Sequence, residues 1–243
     1  MADMDMDQAT SSSASVGAPY QMLYAEDLGL DGDYNREGDL RLKDETATIC
    51  GKKLNPKGTR SGVKDTVIGG VLCLGHINYA MTSKRSHDNV SHSHFVTHHS
   101  KKNLDWALCQ IFVTIKLPNV HGSTRLIHYN KEEDLPEIPG TVKVLAGRGE
   151  EFEARLGTGD GWVTDAFPGV KLVGLITQLP NKTIIPRGAW VVKDDSLCGY
   201  VVHCEPGGNL RTGYMVPIER AFKEMEHILK VEPVFPFTTS WDV

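Results

Sequence analysis

The chain has 243 residues, 40% of them hydrophobic, enough for one large all-β domain or two fused barrels with a real core. Its net charge of −5, with Lys and Arg scattered among acids, offers no basic face for nucleic acid. No run approaches the roughly 20 apolar residues that a transmembrane helix needs, so neither nucleic acid nor a membrane is an expected partner.

Residues 1–18, MADMDMDQATSSSASVGA, are acidic and Ser-rich without an apolar stretch, and read as a disordered tail rather than a secretory signal. Residues 19–64 form an N-terminal extension with acidic loops and a basic stretch, GKKLNPKGTRSG. That stretch lacks the GxxxxGK[ST] order of a phosphate loop and reads as solvated. The cysteines Cys50, Cys73, Cys109, Cys198 and Cys204 are odd in number and unclustered, the usage of a reducing, cytoplasmic compartment. Cys198 and Cys204 share a strand face but are poorly placed to bridge, and both read as core thiols.

From about residue 65 the chain alternates short apolar runs with Gly, Asn and Asp: VIGGVLCL, YAMTS, ALCQIFVTI, TVKVLAG, EFEARL, KLVGLITQL, AWVVKD, LCGYVVHC and TGYMVP. Runs of this length, rich in Val, Ile and Leu, predict strands of a barrel or sandwich. The Pro-, Gly- and charge-rich segment 116–140 reads as a connector, so a first barrel is expected over 65–130 and a second over 131–215. Pro217 suits a first helical position, and Ile218, Phe222, Met225 and Leu229 recur at helical spacing. A helix is therefore predicted over 216–230, packed on its own domain, with a tail over 231–243.

Three segments in order resemble the triad neighbourhoods of trypsin-like serine proteases, in the diverged intracellular form associated with fungal proteins. IGGVLCLGHINYAMTSKR follows the family's strand, turn and strand before its histidine, and that position falls on Arg85. NLDWALCQI matches the family's aspartate strand and supplies Asp105. IPRGAWVV matches the nucleophile segment, keeping Gly188, Ala189, Trp190, Val191 and Val192, but Arg187 stands at the serine and Ile185 and Pro186 precede it. The resemblance covers roughly residues 65–230. It implies an all-β fold, a chymotrypsin-like double β-barrel with a C-terminal α-helix, and a cleft between the barrels flanked by Gly188 and Trp190.

Acyl transfer needs a nucleophile, a base able to take its proton, an acid that orients the base, and N–H donors for the oxyanion. At the resembling positions only the orienting acid, Asp105, is retained. An arginine, with a pKa above about 12, cannot serve as general base, and it offers no hydroxyl to attack a carbonyl. Ile185 and Pro186 restrict the turn that would present the oxyanion donors. The expectation is a catalytically degenerate site, with Arg85 and Arg187 paired to Asp105 as ions; the other outcome is that both arginines point to solvent. No catalytic residue and no cofactor is expected. The natural partner is an unidentified protein or peptide held along a strand edge.

Two readings from other classes stay open. An active hydrolase could use a relocated His87 with Asp105 and an unidentified nucleophile, although Ser196 and Cys198 read as a turn serine and a core thiol. Alternatively, HDNVSHSHFVTHH crowds five histidines, His87 among them, and His92, His94, His98 and His99 could hold a metal; a solvated loop is the plainer reading, because no Cys or acid stands at ligand spacing beside them.

Overall fold

Each apolar run is too short for a stable helix and is bounded by turn residues, so its backbone groups must pair with neighbouring runs. The computed structural model describes residues 22–24, 32–34, 40–42, 50–52, 67–86, 95–111, 119–121, 124–138, 140–147, 150–157, 165, 167–177, 185–205 and 211–236. The expected tail 1–18 lies outside them, as do most of the N-terminal extension and residues 237–243.

In the N-terminal extension, β1 (Gly32–Tyr34) pairs antiparallel with β2 (Leu40–Leu42). A four-stranded antiparallel sheet follows, built from β3 (Gly70–Leu74), β4 (Ile77–Ser83), β5 (Val96–His99) and β6 (Trp106–Gln110), in the order β3-β4-β6-β5. A small hairpin, β7 (Val120–His121) and β8 (Thr124–Arg125), leads to β9 (His128–Tyr129). Then β10 (Val142–Gly147), β11 (Glu150–Leu156), β12 (Val173–Thr177), β13 (Trp190–Lys193), β14 (Ser196–Glu205) and β15 (Arg211–Pro217) form a second sheet. Pairing of β13 with both β10 and β14 closes it into a six-stranded barrel. β9 lies parallel against the start of β14, so this piece of the connector belongs to the second sheet.

β13 shows why the second-module runs are apolar throughout instead of alternating. Val191 faces the barrel interior among Val144, Leu175, Val201 and Met215. Trp190 and Val192 face outward into a second cluster that includes Leu72, Met81, Trp106 and Leu108 of the first sheet and Phe222 of the helix. Both faces are buried, so neither carries polar residues. Cys198 and the partly buried Cys204 both pack on the barrel-interior cluster, although the register of β14 shifts once against β13 and once against β15, so even spacing alone does not account for it.

The helix, α1 (Ile218–Leu229), begins two residues later than expected: Pro217 ends β15 and stands as the N-cap, where its missing N–H costs the helix nothing. Ile218, Phe222 and Met225 are buried as predicted. At its C-terminus Lys230 turns left-handed (φ 57°) and its N–H returns to the Glu226 carbonyl. The described part of the stretch expected as a tail, 231–236, does not hang free. Val234 exchanges two backbone hydrogen bonds with Cys73 on the outer edge of β3 (2.8 and 3.0 Å), and Phe235 buries its ring against Trp190 and Phe222. Farther along that edge the buried Asn119 amide bonds both backbone groups of Val71 (2.7 and 2.8 Å). An edge that would otherwise invite foreign strands is thereby covered.

One helical carboxylate reaches across to the first sheet. Glu224 is 2% exposed and accepts four hydrogen bonds: from Ser100 Oγ (2.8 Å), Lys101 N–H (2.8 Å), Lys102 N–H (2.7 Å) and the Trp106 indole (2.7 Å). Among the described residues no helix is long and apolar enough to cross a membrane.

Glu224→Ala strands these donors in the interior and is expected to lower unfolding free energy by on the order of 3 kcal/mol. Glu224→Gln keeps an acceptor oxygen and should lose less. Urea midpoints of the two variants against the parent chain check the order; equal midpoints for all three would contradict it.

Candidate functional site

The site forms where three chain segments end against one another. β4 finishes in the buried Thr82 and Ser83, and a 3-10 turn over Lys84–Ser86 redirects the chain. β6 is entered through a bend in which Asn103 and Asp105 both take left-handed backbone angles (φ 62° and 64°), tolerable because short polar side chains accept that region better than bulky ones. The bend is held from both sides: the Leu104 N–H donates to Ser100 Oγ (2.9 Å), and the Tyr200 hydroxyl donates to the Leu104 carbonyl.

This geometry turns the Asp105 carboxylate back toward the end of β4. Its Oδ2 accepts the Ser83 hydroxyl (2.8 Å) and its Oδ1 accepts the Arg85 backbone N–H (2.7 Å), while its own carbonyl takes the Lys84 N–H (2.8 Å). Asp105 is 2% exposed. Burial pushes its pKa up to about 6; the two hydrogen bonds, and then the charges of Arg85 and Arg187, pull the other way without cancelling it.

The third segment is the turn at Ile185–Ala189. The Arg187 carbonyl accepts the Val67 N–H (3.2 Å), the Gly188 N–H donates to Val201 (2.8 Å), and the Val201 N–H donates to Ala189 (2.8 Å). Gly188 is required twice over: its φ is 84°, and a Cβ there would stand 2.7 Å from the Val67 carbonyl oxygen and 3.1 Å from the Ser83 nitrogen. Trp190 fills a slot over Gly69 and Gly70, where a Cβ would come within 2.1 and 2.3 Å of the indole. The glycine pair of the first module and the tryptophan of the second are therefore one packing unit.

Arg85, Asp105 and Arg187 are thus brought together, close enough for both arginine charges to act on the carboxyl, but the expected ion pair is absent. Among the described residues neither guanidinium forms a salt bridge to Asp105. Arg85 instead lays its guanidinium over the Phe167 ring (3.9 Å to the centroid) and donates to Asn103 Oδ1 (3.1 Å). The Arg85 main chain is held to Asp105 Oδ1 while its side chain is engaged by Phe167 and Asn103. Nor does Arg85 point simply to solvent.

His98 and His99 lie in β5 rather than in a loop, a correction to the sequence reading. Consecutive strand residues face opposite ways, and each ring has a protein neighbour: His98 packs against Tyr79, and His99 Nδ1 lies 3.0 Å from the Ser100 carbonyl. His87, His92 and His94 lie outside the described residues. Among the described residues no group of three His, Cys, Asp or Glu is placed to hold a metal. Ser196 bonds its neighbour Asp195, and Cys198 is buried in the barrel, where burial pushes its thiol up to about 11. Ser83, Phe167 and His203, all neighbours of the site residues, went unnoticed in the sequence. The only signal for them was position, directly before the Lys84–Arg85 turn for Ser83 and two residues after Val201 for His203.

No protein-family model matches the chain, and no curated protein matches it. Among solved structures, a glutamic-acid-specific serine protease that uses a histidine triad in substrate binding is similar to it at a TM-score of 0.51 and 10% sequence identity, over 70% of this chain and 92% of that one. The fold is accordingly that of the chymotrypsin-like proteases: two β modules, the second a closed six-stranded barrel, and one C-terminal helix.

Two consequences are measurable. Gly188→Ala is expected to destabilise the chain by more than the roughly 1 kcal/mol of an ordinary glycine replacement, because backbone strain and a clash coincide; a thermal melt indistinguishable from the parent would contradict the close approach. Asp105 keeps its proton to about pH 6 when folded but loses it near pH 4 when unfolded. The folded state then binds more protons in that window, and stability should decline by about 2–3 kcal/mol as pH rises through it. Denaturation of the parent and of Asp105→Asn at pH 4 and pH 7 tests this, the decline being absent from the variant.

Proposed function

We propose that this chain is a proteolytically inactive relative of the chymotrypsin-like proteases whose cleft holds an extended peptide or protein segment without cutting it. The observation that carries this reading is the hydrogen bonding of Asp105. The acid that would orient an imidazole is instead satisfied by the Ser83 hydroxyl and the Arg85 main chain. Arg85 can neither accept a proton at working pH nor pass one on. Arg187 brings no hydroxyl to the turn where an attacking oxygen would stand, and Ile185 and Pro186 before it restrict the turn that would aim oxyanion donors.

Binding survives the loss of chemistry because it depends on strand edges. The ladder between β13 and β14 ends at Trp190 with Tyr200, and among the described residues the last contact on that side of β14 is Val201 with Gly188 and Ala189. β14 itself continues through His203 to Glu205, paired on its other side with β15. A peptide laid along β14 beyond Val201 would extend the sheet as an added strand, with main-chain hydrogen bonds providing affinity irrespective of sequence.

The purified chain is expected to leave casein and mixed peptide libraries uncut and to resist a fluorophosphonate probe. Site-selective labelling that disappears in Asp105→Asn, or inhibitor-sensitive cleavage, would overturn the reading in favour of an enzyme.

A further inference from the structure

The charges around the candidate site are equal in number but are not paired with one another. Four charged groups face this corner: Arg85, Arg187, Asp105 and Glu205, with the His203 ring among them. Both acids are already served, Asp105 by Ser83 and the Arg85 N–H, Glu205 by the Tyr214 hydroxyl. Arg85 is engaged with Phe167 and Asn103. Arg187 is different. Half-buried, it forms no side-chain hydrogen bond or ion pair among the described residues, although its main chain is pinned on both sides by Val67 and by the Gly188 contact to Val201. A guanidinium with five donors in a fixed fork, anchored at its root and left without a carboxylate, has the chemistry of a receptor.

His203 supplies a second, independent observation. Its ring stacks on Tyr214 (centroids 5.9 Å apart, 23° between planes), and its buried Nδ1 has no hydrogen-bond partner. Burial, the Arg187 charge and the more weakly felt Arg85 charge hold the imidazole toward its neutral form, against the opposing charge of Glu205. His203 also lies on the stretch of β14 where a peptide strand would add, two residues past the Val201 contact with the Gly188 turn.

We propose that Arg187, flanked by Arg85 and His203, binds a carboxylate of a peptide laid along β14, either a Glu or Asp side chain or a free C-terminus. The two sources share one chemistry, a planar anion matched to a bidentate guanidinium. This inference rests on the peptide-holding reading above and adds the charge of the ligand to it. A cleft that presents a cation where a nucleophile would stand selects acidic segments by attraction and rejects basic ones by repulsion.

The test uses the full chain and three short labelled peptides of one uncharged sequence: C-terminally amidated, the same with a free C-terminus, and amidated with one central Glu. Fluorescence anisotropy should show at least one carboxylate-bearing peptide binding about tenfold or more tighter than the neutral one, and the free-terminus and Glu arms identify the source. Arg187→Gln should erase the difference without moving the melting temperature. In parallel, imidazole NMR should show the His203 pKa rising on binding, because an added anion favours imidazolium. Equal binding of all three peptides, unaffected by Arg187→Gln, overturns the carboxylate site and leaves the peptide reading standing. If no peptide binds but glutarate perturbs His203 in the parent and not in Arg187→Gln, the carboxylate site stands and the peptide reading falls. Silence of His203 toward peptides and glutarate alike overturns this inference.

Discussion

A carboxylate taken out of water has to find donors for its oxygens, and Glu224 finds four of them on a single stretch of the other module. Because those donors are the Ser100 hydroxyl, two consecutive backbone N–H groups and the Trp106 indole, the segment from Ser100 to Trp106 has little freedom left. Ser100 passes the constraint on by accepting the Leu104 N–H, and the Leu104 carbonyl receives the Tyr200 hydroxyl from the second barrel. Asp105 follows directly, already committed to a left-handed backbone angle. Helix, first sheet and second barrel are thus joined through one hydrogen-bonded relay that ends at the candidate site.

The same demand for donors accounts for the fate of Asp105. A buried acid is costly when unpaired, and two routes could relieve it here: an ion pair with a nearby arginine, or hydrogen bonds from neutral groups. The second route prevails because its donors, Ser83 and the Arg85 N–H, are fixed by strand register and turn geometry and need little side-chain ordering. Burial then remains the largest influence on the acid, and its pKa stays high although two arginines stand nearby. Both guanidinium groups are left without a carboxylate partner among the described residues, which is why the proposed function is one of holding an acidic segment and not of proton transfer.

Packing between the modules depends on omitted side chains. Trp190 occupies the space that Gly69 and Gly70 leave open, Phe235 closes over it from the C-terminal strap, and Gly188 lets the Arg187 turn approach the end of β4. These contacts join residues far apart in the chain, and the glycine contacts exist only because one partner lacks a Cβ. The strap also covers the edge of β3, so the C-terminal segment contributes both a sheet contact and a core ring.

How much of this was legible in the sequence differs by feature. Strands such as those in YAMTS, TVKVLAG and LCGYVVHC, and the helix after Pro217, were readable because they follow from local periodicity, and local periodicity survives in one dimension. β5 escaped notice because VTHH is polar and follows a histidine-rich stretch, and β9 because two residues carry no period. Glu224 was hidden for a different reason: a glutamate on an amphipathic helix is ordinarily solvated, and its place at the margin of the apolar stripe beside Ala221 and Met225 was the one available hint. The gathering of Arg85, Asp105 and Arg187 was visible through motif order, but the direction of each guanidinium was not. By itself the sequence determined which segments become strands and which side chains carry charge at the cleft. Only the tertiary structure decided where those charges point, because that depends on neighbours such as Ser83, Phe167 and Tyr214 whose proximity is created by folding.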